Sequence, residues 1–311
     1  MNFEPIKLTP AFKDYLWGGT KLKTEFDKKS DLEKVAESWE LSTHKDGQSI
    51  VTTGEFEGLT LSEYIEKNGK ECIGKNALAF EFFPILIKFI DAADSLSIQV
   101  HPSDEYALEN EGEYGKTEMW YILDCDEDAY LYYGLNREIT KEEFEKRIKE
   151  NTILEVLNKV NVKKGDVFFI NSGTIHAIGK GIVICEIQQN SNTTYRVYDY
   201  DRRDKDGNTR PLHIEKAIEV SELAPAKIYE NDGKILAKCK YFTVEKEVCS
   251  GDAEIVVTKD CFKSVIAVSG TGELKHGDTK IEFKKGDSIF IPAQDAKADI
   301  KGECELIISY V

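Results

Sequence analysis

The chain has 311 residues, 41% of them apolar, enough to bury one full core and more readily two. Its formal charge of −16 argues against nucleic acid or an anionic membrane surface as a partner, because both select for basic patches. No run of about 18 apolar residues could span a bilayer, the N-terminal MNFEPIKLTPAFKDYLW lacks the layout of a signal peptide, and seven cysteines without a CxxC pair read as reduced structural thiols, so a cytoplasmic protein is expected.

Most of the sequence divides into short apolar runs bounded by Gly, Asp and Asn. Strands are predicted over 36–42, 85–91, 96–101, 118–125, 129–134, 167–171, 182–189 and 194–200. Helical spacing is rarer: 61–68, around 104–109, and 213–223 after the loop 204–211. A further helix opens at Thr140, with Glu143 three residues on as a capping box, and runs through Phe144 and Ile148. Many short strands with a few peripheral helices predict a mainly β chain, an antiparallel barrel or jelly roll rather than a βαβ fold. The string KKGDVFFI at 163–170 recurs as KKGDSIFI at 284–291, a basic pair and a Gly-Asp turn leading into an apolar strand. Two barrels of one type are therefore expected, divided near Ala224-Pro225-Ala226 into 1–225 and 226–311. After its turn the first copy reaches His176, where the second has Lys297, so a metal is expected in the first alone. The histidine of the second, His276, falls in the turn-like KHGD at 275–278 and is expected in solvent.

Along 96–101, Ser97, Gln99 and His101 share one strand face while Leu96, Ile98 and Val100 share the other. Polar side chains two residues apart on a strand are well placed as metal ligands. Glu118 in KTEMWYIL and His176 in GTIHAI could complete the set. The chain has only five histidines, and two of them, His101 and His176, stand in apolar surroundings where a bare imidazole is costly. One neutral oxygen, one carboxylate and two imidazoles suit Zn²⁺ or a similar divalent ion. Lys88 interrupts the apolar run 84–90, either paired in the interior or reaching solvent from a strand end. Glu186 shares a predicted face with Ile182, Ile184 and Gln188, as a base of raised pKa or as the partner of a cation. From residue type alone, Arg196 in the polar NSNTTYRVYDYDR reads as a surface residue.

The Gly-Asp-strand-His arrangement resembles a cupin. The strings DYLWGG (14–19), ESWELS (37–42), LSIQVHPSD (96–104), KTEMWYIL (116–123), GTIHAI (173–178) and CEIQQNSNTTYRVYDYDR (185–202) resemble the short form of the type I mannose-6-phosphate isomerases. The resemblance implies two cupin-type jelly-roll barrels, the second degenerate and free of metal. It implies one Zn²⁺ per chain on Gln99, His101, Glu118 and His176, and interconversion of mannose 6-phosphate and fructose 6-phosphate through an enediol(ate). Arg196 matches the family's active-site arginine, and Lys116 a lysine of proton transfer or phosphate binding. Glu186 and Lys88 match further active-site positions. Trp17, Ser97 and Lys88 are expected to line the sugar-phosphate site of a monomer or weak homo-oligomer. Two other readings of the same ligand set are an Fe²⁺ cupin oxygenase, with His101, Glu118 and His176 as its triad, and a non-catalytic sugar-binding cupin. Lys and Arg clustered in the ligand-bearing segments favour an anionic substrate over the oxygenase.

Overall fold

The computed structural model describes residues 3–204 and 206–311. Its strands form three antiparallel sheets. A six-stranded sheet runs in the order Val167–Ile170, Glu118–Cys125, Ile182–Gln189, Ile85–Ala92, Glu37–Leu41, Ala11–Lys13. A five-stranded sheet runs Tyr195–Tyr198, Ile98–Val100, His176–Ile178, Tyr130–Leu135, Leu157–Asn161. The third sheet, of eight strands, holds the C-terminal segment, including the long strands Thr243–Val257, Lys263–His276 and Ala296–Tyr310.

The six-stranded sheet is the middle layer, which explains why Ile85–Ala92 and Ile182–Gln189 are buried at every position. Alternation sorts their side chains. Val183, Cys185 and Ile187 pack with Phe242, Phe262, Phe290 and Ile307 of the eight-stranded sheet. Ile182 and Ile184 pack with Leu131, Tyr133 and Ile178 of the five-stranded sheet. The outer face of that sheet, through Ile98, Val100, Ala177 and Val197, is covered by helices Lys141–Lys149 and Ile214–Val220. The sheets are open and stacked, so the expected barrels take the form of jelly-roll sandwiches. The C-terminal segment has a second core of its own, built on Val265, Leu274, Ile289, Ile300 and Leu306.

The two parts are interlocked. Ile6–Thr9 pairs with Ser288–Ile291, placing Ile6 opposite Phe290, and Ile50–Val51 pairs with Ile6–Thr9 in turn. These N-terminal strands therefore lie in the sheet of the 226–311 segment, across the expected division at 225. Ile6 and Leu8 gain a ladder and a buried face there.

The repeated turns are alike. Gly165 and Gly286 have φ of 90° and 96°, and Asp166 and Asp287 each accept a 2.9 Å bond from the backbone N–H of Lys163 and Lys284. A reciprocal capping box occurs at Thr60 and Glu63, opening helix Leu61–Asn68. At Thr140 only half of the expected box forms: its hydroxyl accepts from Glu143 N, while the Glu143 carboxylate pairs with Arg137 and Arg147. His276 is a correction to the sequence reading. It is the last residue of Lys263–His276 and is buried, because its ring is held between Lys297 O and the Gln294 amide. All seven cysteines are unpaired. No helix of the described residues is long and apolar enough to cross a membrane.

Candidate metal centre and substrate cavity

The site lies where the six-stranded and five-stranded sheets face each other. Gln99 stands opposite both His176 and Arg196 in the ladders of the five-stranded sheet, so these three form one cross-strand row. Facing them, the six-stranded sheet sets Trp39, Lys88, Glu186 and Trp120 in a row of its own. His101 follows Ile98–Val100 directly, and Glu118 opens Glu118–Cys125.

His101, Glu118 and His176 offer ligand atoms that all lie within 4.8 Å of one another, and all three are buried. His101 Nδ1 is 2.9 Å from Thr193 O and His176 Nδ1 is 2.8 Å from Thr174 O. A carbonyl can only accept, so each Nδ1 carries the proton and each Nε2 presents a lone pair to the centre. Burial first, then Lys116 and His176, holds the His101 imidazole well below its ordinary range. Burial also pushes His176 down to about 4, so both rings are neutral. Glu118 Oε1 is 3.3 Å from His176 Nε2 and 3.8 Å from His101 Nε2, and has no hydrogen-bond partner among the described residues. Two imidazole nitrogens and a carboxyl oxygen, three electron-pair donors, thus converge. The mixed nitrogen and oxygen set fits a divalent cation. The Gln99 amide lies 3.4 Å from His176 Nε2, and a half-turn of that amide brings its oxygen to the centre.

Beside the ligands lies a network of buried charges. Lys116 Nζ is 2.8 Å from Glu118 Oε2, 3.6 Å from Glu186 Oε1 and 3.3 Å from His101 Nε2. Lys88 Nζ is 3.5 Å from Glu37 and 3.7 Å from Glu186, and sits 4.8 Å from the Trp39 ring centre. Lys88 is therefore paired in the interior and does not reach solvent. Trp120 Nε1 donates to Glu186 at 2.9 Å and Trp39 Nε1 to Glu37 at 2.7 Å. Burial disfavours the Lys116 ammonium, but Glu118 and Glu186 outweigh it and raise its pKa above the lysine range. Burial and then Glu186 push the Glu118 carboxyl up to about 8, against the pull of Lys116. Burial would raise Glu186 as well, but Lys116, Lys88 and the Trp120 indole hold it below the carboxylate range. Glu186 is thus an ionised carboxylate beside two cations, and not a carboxyl of raised pKa.

A cavity of about 130 Å³ opens onto this network, and Trp17, Lys88, Ser97, Gln99, Lys116, Glu186 and Arg196 all line it. Arg196 is half-buried in the cavity wall, not a surface residue, and its Nε is buried without a partner among the described residues. Tyr15, Glu37 and Arg210 line the cavity too and were missed from sequence. Glu37 had a signal, since alternation in ESWELS puts it on the face of Trp39. Arg210 had none, standing in a polar loop. A larger groove of about 740 Å³, bordered by Phe80, Phe82, Tyr114 and His44, shares no lining residue with this cavity. It gathers no comparable set of lone pairs.

Stacked antiparallel sheets that enclose a His–Glu–His centre beside paired lysines and carboxylates define a cupin-type protein with a candidate metal site. Comparison with known proteins resolves the family. Residues 6–151 match the family model "Phosphomannose isomerase type I, catalytic domain", and 232–311 match "Mannose-6-phosphate isomerase, cupin domain". The mannose-6-phosphate isomerase ManA of Bacillus subtilis is 41% identical over 321 aligned positions covering 100% of both chains. A mannose-6-phosphate isomerase of Streptococcus mutans is 38% identical, over 99% of this chain and 98% of its own. The crystal structure of the mannose 6-phosphate isomerase from Bacillus subtilis superposes with a TM-score of 0.90 at 38% identity, over 99% of this chain and 100% of that one. The chain belongs to the type I phosphomannose isomerase family and is an isomerase. That membership removes the grounds for the oxygenase and the non-catalytic readings.

Proposed function

We propose that the protein interconverts mannose 6-phosphate and fructose 6-phosphate through an enediol(ate), with one zinc ion held by His101, Glu118, His176 and Gln99. The observation that carries this reading is the convergence of the His101, Glu118 and His176 ligand atoms beside a cavity lined by lysine, arginine and carboxylate. A zinc ion there would supply Lewis-acid polarisation of a substrate oxygen. Moving a proton between C1 and C2 also needs a group that accepts it, a group that returns it and positive charge near the developing oxyanion. Glu186, held anionic by Lys88, Lys116 and Trp120, is the acceptor that faces the cavity. Lys116, 3.6 Å away and held protonated, is the donor. Arg196 stays charged and presents a fork of donors, which suits an oxyanion or phosphate and not a base. The two indoles keep the carboxylates oriented.

The reading is tested by metal analysis of purified protein together with a coupled assay on mannose 6-phosphate. The parent should carry one equivalent of zinc and form fructose 6-phosphate. His176→Ala should lose both together, since its Nε2 faces Glu118 and no neighbouring imidazole replaces it. Equimolar metal with normal turnover in that variant would show the site to be misassigned.

A further inference from the structure

The two imidazoles of the metal centre are oriented by different means. His176 Nδ1 meets Thr174 O, two residues away, so its acceptor arrives with its own stretch of chain. His101 Nδ1 meets Thr193 O, 92 residues along the chain, so its acceptor must be placed by whatever holds the turn after Ile182–Gln189. The direction in which a ligand ring faces is set by the partner of its other nitrogen.

That turn is held from inside. Gln188 is fully buried and stands opposite Glu118 in the ladder of the six-stranded sheet. Its Nε2 donates to Gln189 O at 2.8 Å and to Ser191 O at 2.6 Å. Ser191, equally buried, accepts at Oγ from Thr193 N–H at 3.2 Å. Hydrogen bonds thus lead from Gln188 through Ser191 and Thr193 to His101. The turn has further contacts at its outer side, where Asn190 Nδ2 donates to Thr43 Oγ1 at 3.1 Å and Asn192 N–H to Glu113 at 3.3 Å, but neither reaches Thr193. Both protons of the Gln188 amide go to carbonyls, which can only accept, so the amide cannot turn. Its Oε1 is left buried and without a partner among the described residues. A buried acceptor without a donor lowers stability, and an apolar side chain of the same length would avoid that cost. The amide at this position is accounted for by what its nitrogen holds.

We propose that Gln188 is a positioning residue of the metal centre. Through Ser191 it fixes Thr193 O where the His101 Nδ1–H meets it, and so keeps His101 Nε2 turned toward Glu118 and His176. This rests on the reading of His101 as a metal ligand and adds to it the side chains that set the direction of its ring.

The test uses the full chain and two variants. Gln188→Met keeps the length of the side chain without its donors, and Ser191→Ala removes the next link. Gln189 O retains its 2.7 Å bond from Ser191 N–H, so Gln188→Met frees one carbonyl, that of Ser191, and removes the oxygen that had no donor. The metal-free Tm should therefore stay close to that of the parent. The zinc dissociation constant, read by competition with a chelator, should rise about tenfold or more in both variants. A second readout needs no metal. In protein labelled on the histidine nitrogens, exchange of the His101 Nδ1–H with solvent should quicken about tenfold or more, as the turn opens more often. That of His176, whose partner Thr174 lies outside the turn, should keep its rate. A zinc dissociation constant within about twofold of the parent in folded Gln188→Met overturns the proposal. So does an acceleration shared equally by His176, which marks a general loosening. If Gln188→Met does not fold, Ser191→Ala decides by the same two readouts. Should the parent hold no zinc, the metal reading fails by itself, and the exchange of the His101 Nδ1–H still decides whether Gln188 and Ser191 fix the ring.

Discussion

Lys28 tests whether the N-terminal and C-terminal sheet systems share one core. Its ammonium is buried, 2.7 Å from Glu40 Oε2, and it also donates to Gly286 O in the second KKGD turn. Glu40 is completely buried. Its Oε1 accepts from Ser38 Oγ at 2.6 Å and its backbone carbonyl accepts from Ser288 Oγ at 3.0 Å. Burial raises the Glu40 carboxyl above its ordinary range, opposed by Lys28 and Ser38. Lys28→Met keeps the stem and removes the charge, leaving a buried carboxylate with one hydroxyl. Breaking a buried pair on one side costs about 3–5 kcal/mol, which lowers Tm by roughly 5–10 °C in a chain of this size. The sign of the pH dependence comes from the raised carboxyl. The folded state binds more protons than the unfolded state between the unfolded and folded pKa values, so this group's contribution falls as pH rises through that interval. Losing Lys28 widens the interval. The gap between parent and variant should therefore be larger at alkaline than at acid pH, narrowing as the pH is lowered. Lys28→Met/Glu40→Leu, which removes both charges, should recover most of the loss. Thermal melts across that range check the effect, and turnover should be unchanged because neither residue lines the cavity. A gap that stays constant or widens on acidification would refute the assignment of the cost to Glu40.

Arg196→Lys should lower kcat/KM by about a hundredfold or more, as a point charge cannot replace the planar fork, with zinc content and Tm unchanged on metal analysis and melting. His276→Ala should leave metal content and turnover as they are and lower stability by about 1 kcal/mol through the loss of its two hydrogen bonds, read from denaturant titration.

Alternation carried the sequence reading furthest. Glu118–Cys125 and Ile182–Gln189 form over the predicted residues because both are apolar runs bounded by turn residues. The two-residue step from Gln99 to His101 put candidate ligands on one face, and Gln99 does face His176. Lys88 was visible as an anomaly, a cation in an apolar run, but its partners came from other strands: Glu37 and Glu186 stand beside it only once the six-stranded sheet has paired. Pairing across nearly the whole chain was not legible. Nothing local in Ile6–Thr9 names Ser288–Ile291 as its neighbour, since any apolar edge of matching length would serve. His276 failed for a related reason. A Lys-His-Gly-Asp string is a turn by composition, yet Lys297 O and the Gln294 amide hold the ring, and Gln294 is itself fastened to Phe3 at the other end of the chain.

His276 and His176 are buried alike, and their surroundings satisfy the two rings differently. Both rings donate Nδ1–H to a backbone carbonyl and turn Nε2 inward, and both meet a glutamine amide there, Gln294 at 3.2 Å and Gln99 at 3.4 Å. Gln294 cannot turn. Its oxygen accepts from Phe3 N–H at 3.0 Å and its nitrogen donates to Phe3 O at 2.6 Å, so its remaining proton is directed at His276 and satisfies that lone pair. Among the described residues, Gln99 has beyond His176 only a 3.5 Å contact from Ser97 to orient it, and Glu118 adds a carboxyl oxygen, whereas no carboxylate pairs with His276. A lone pair matched with a proton is inert toward metal, whereas lone pairs matched only with one another leave buried acceptors that a cation can satisfy. Each half thus has a pocket in which a buried histidine faces a glutamine amide: His176 follows its KKGD turn, and His276 precedes the second one. In one half His176 and Glu118 leave that pocket open to a cation; in the other, Gln294 fastened to Phe3 seals it.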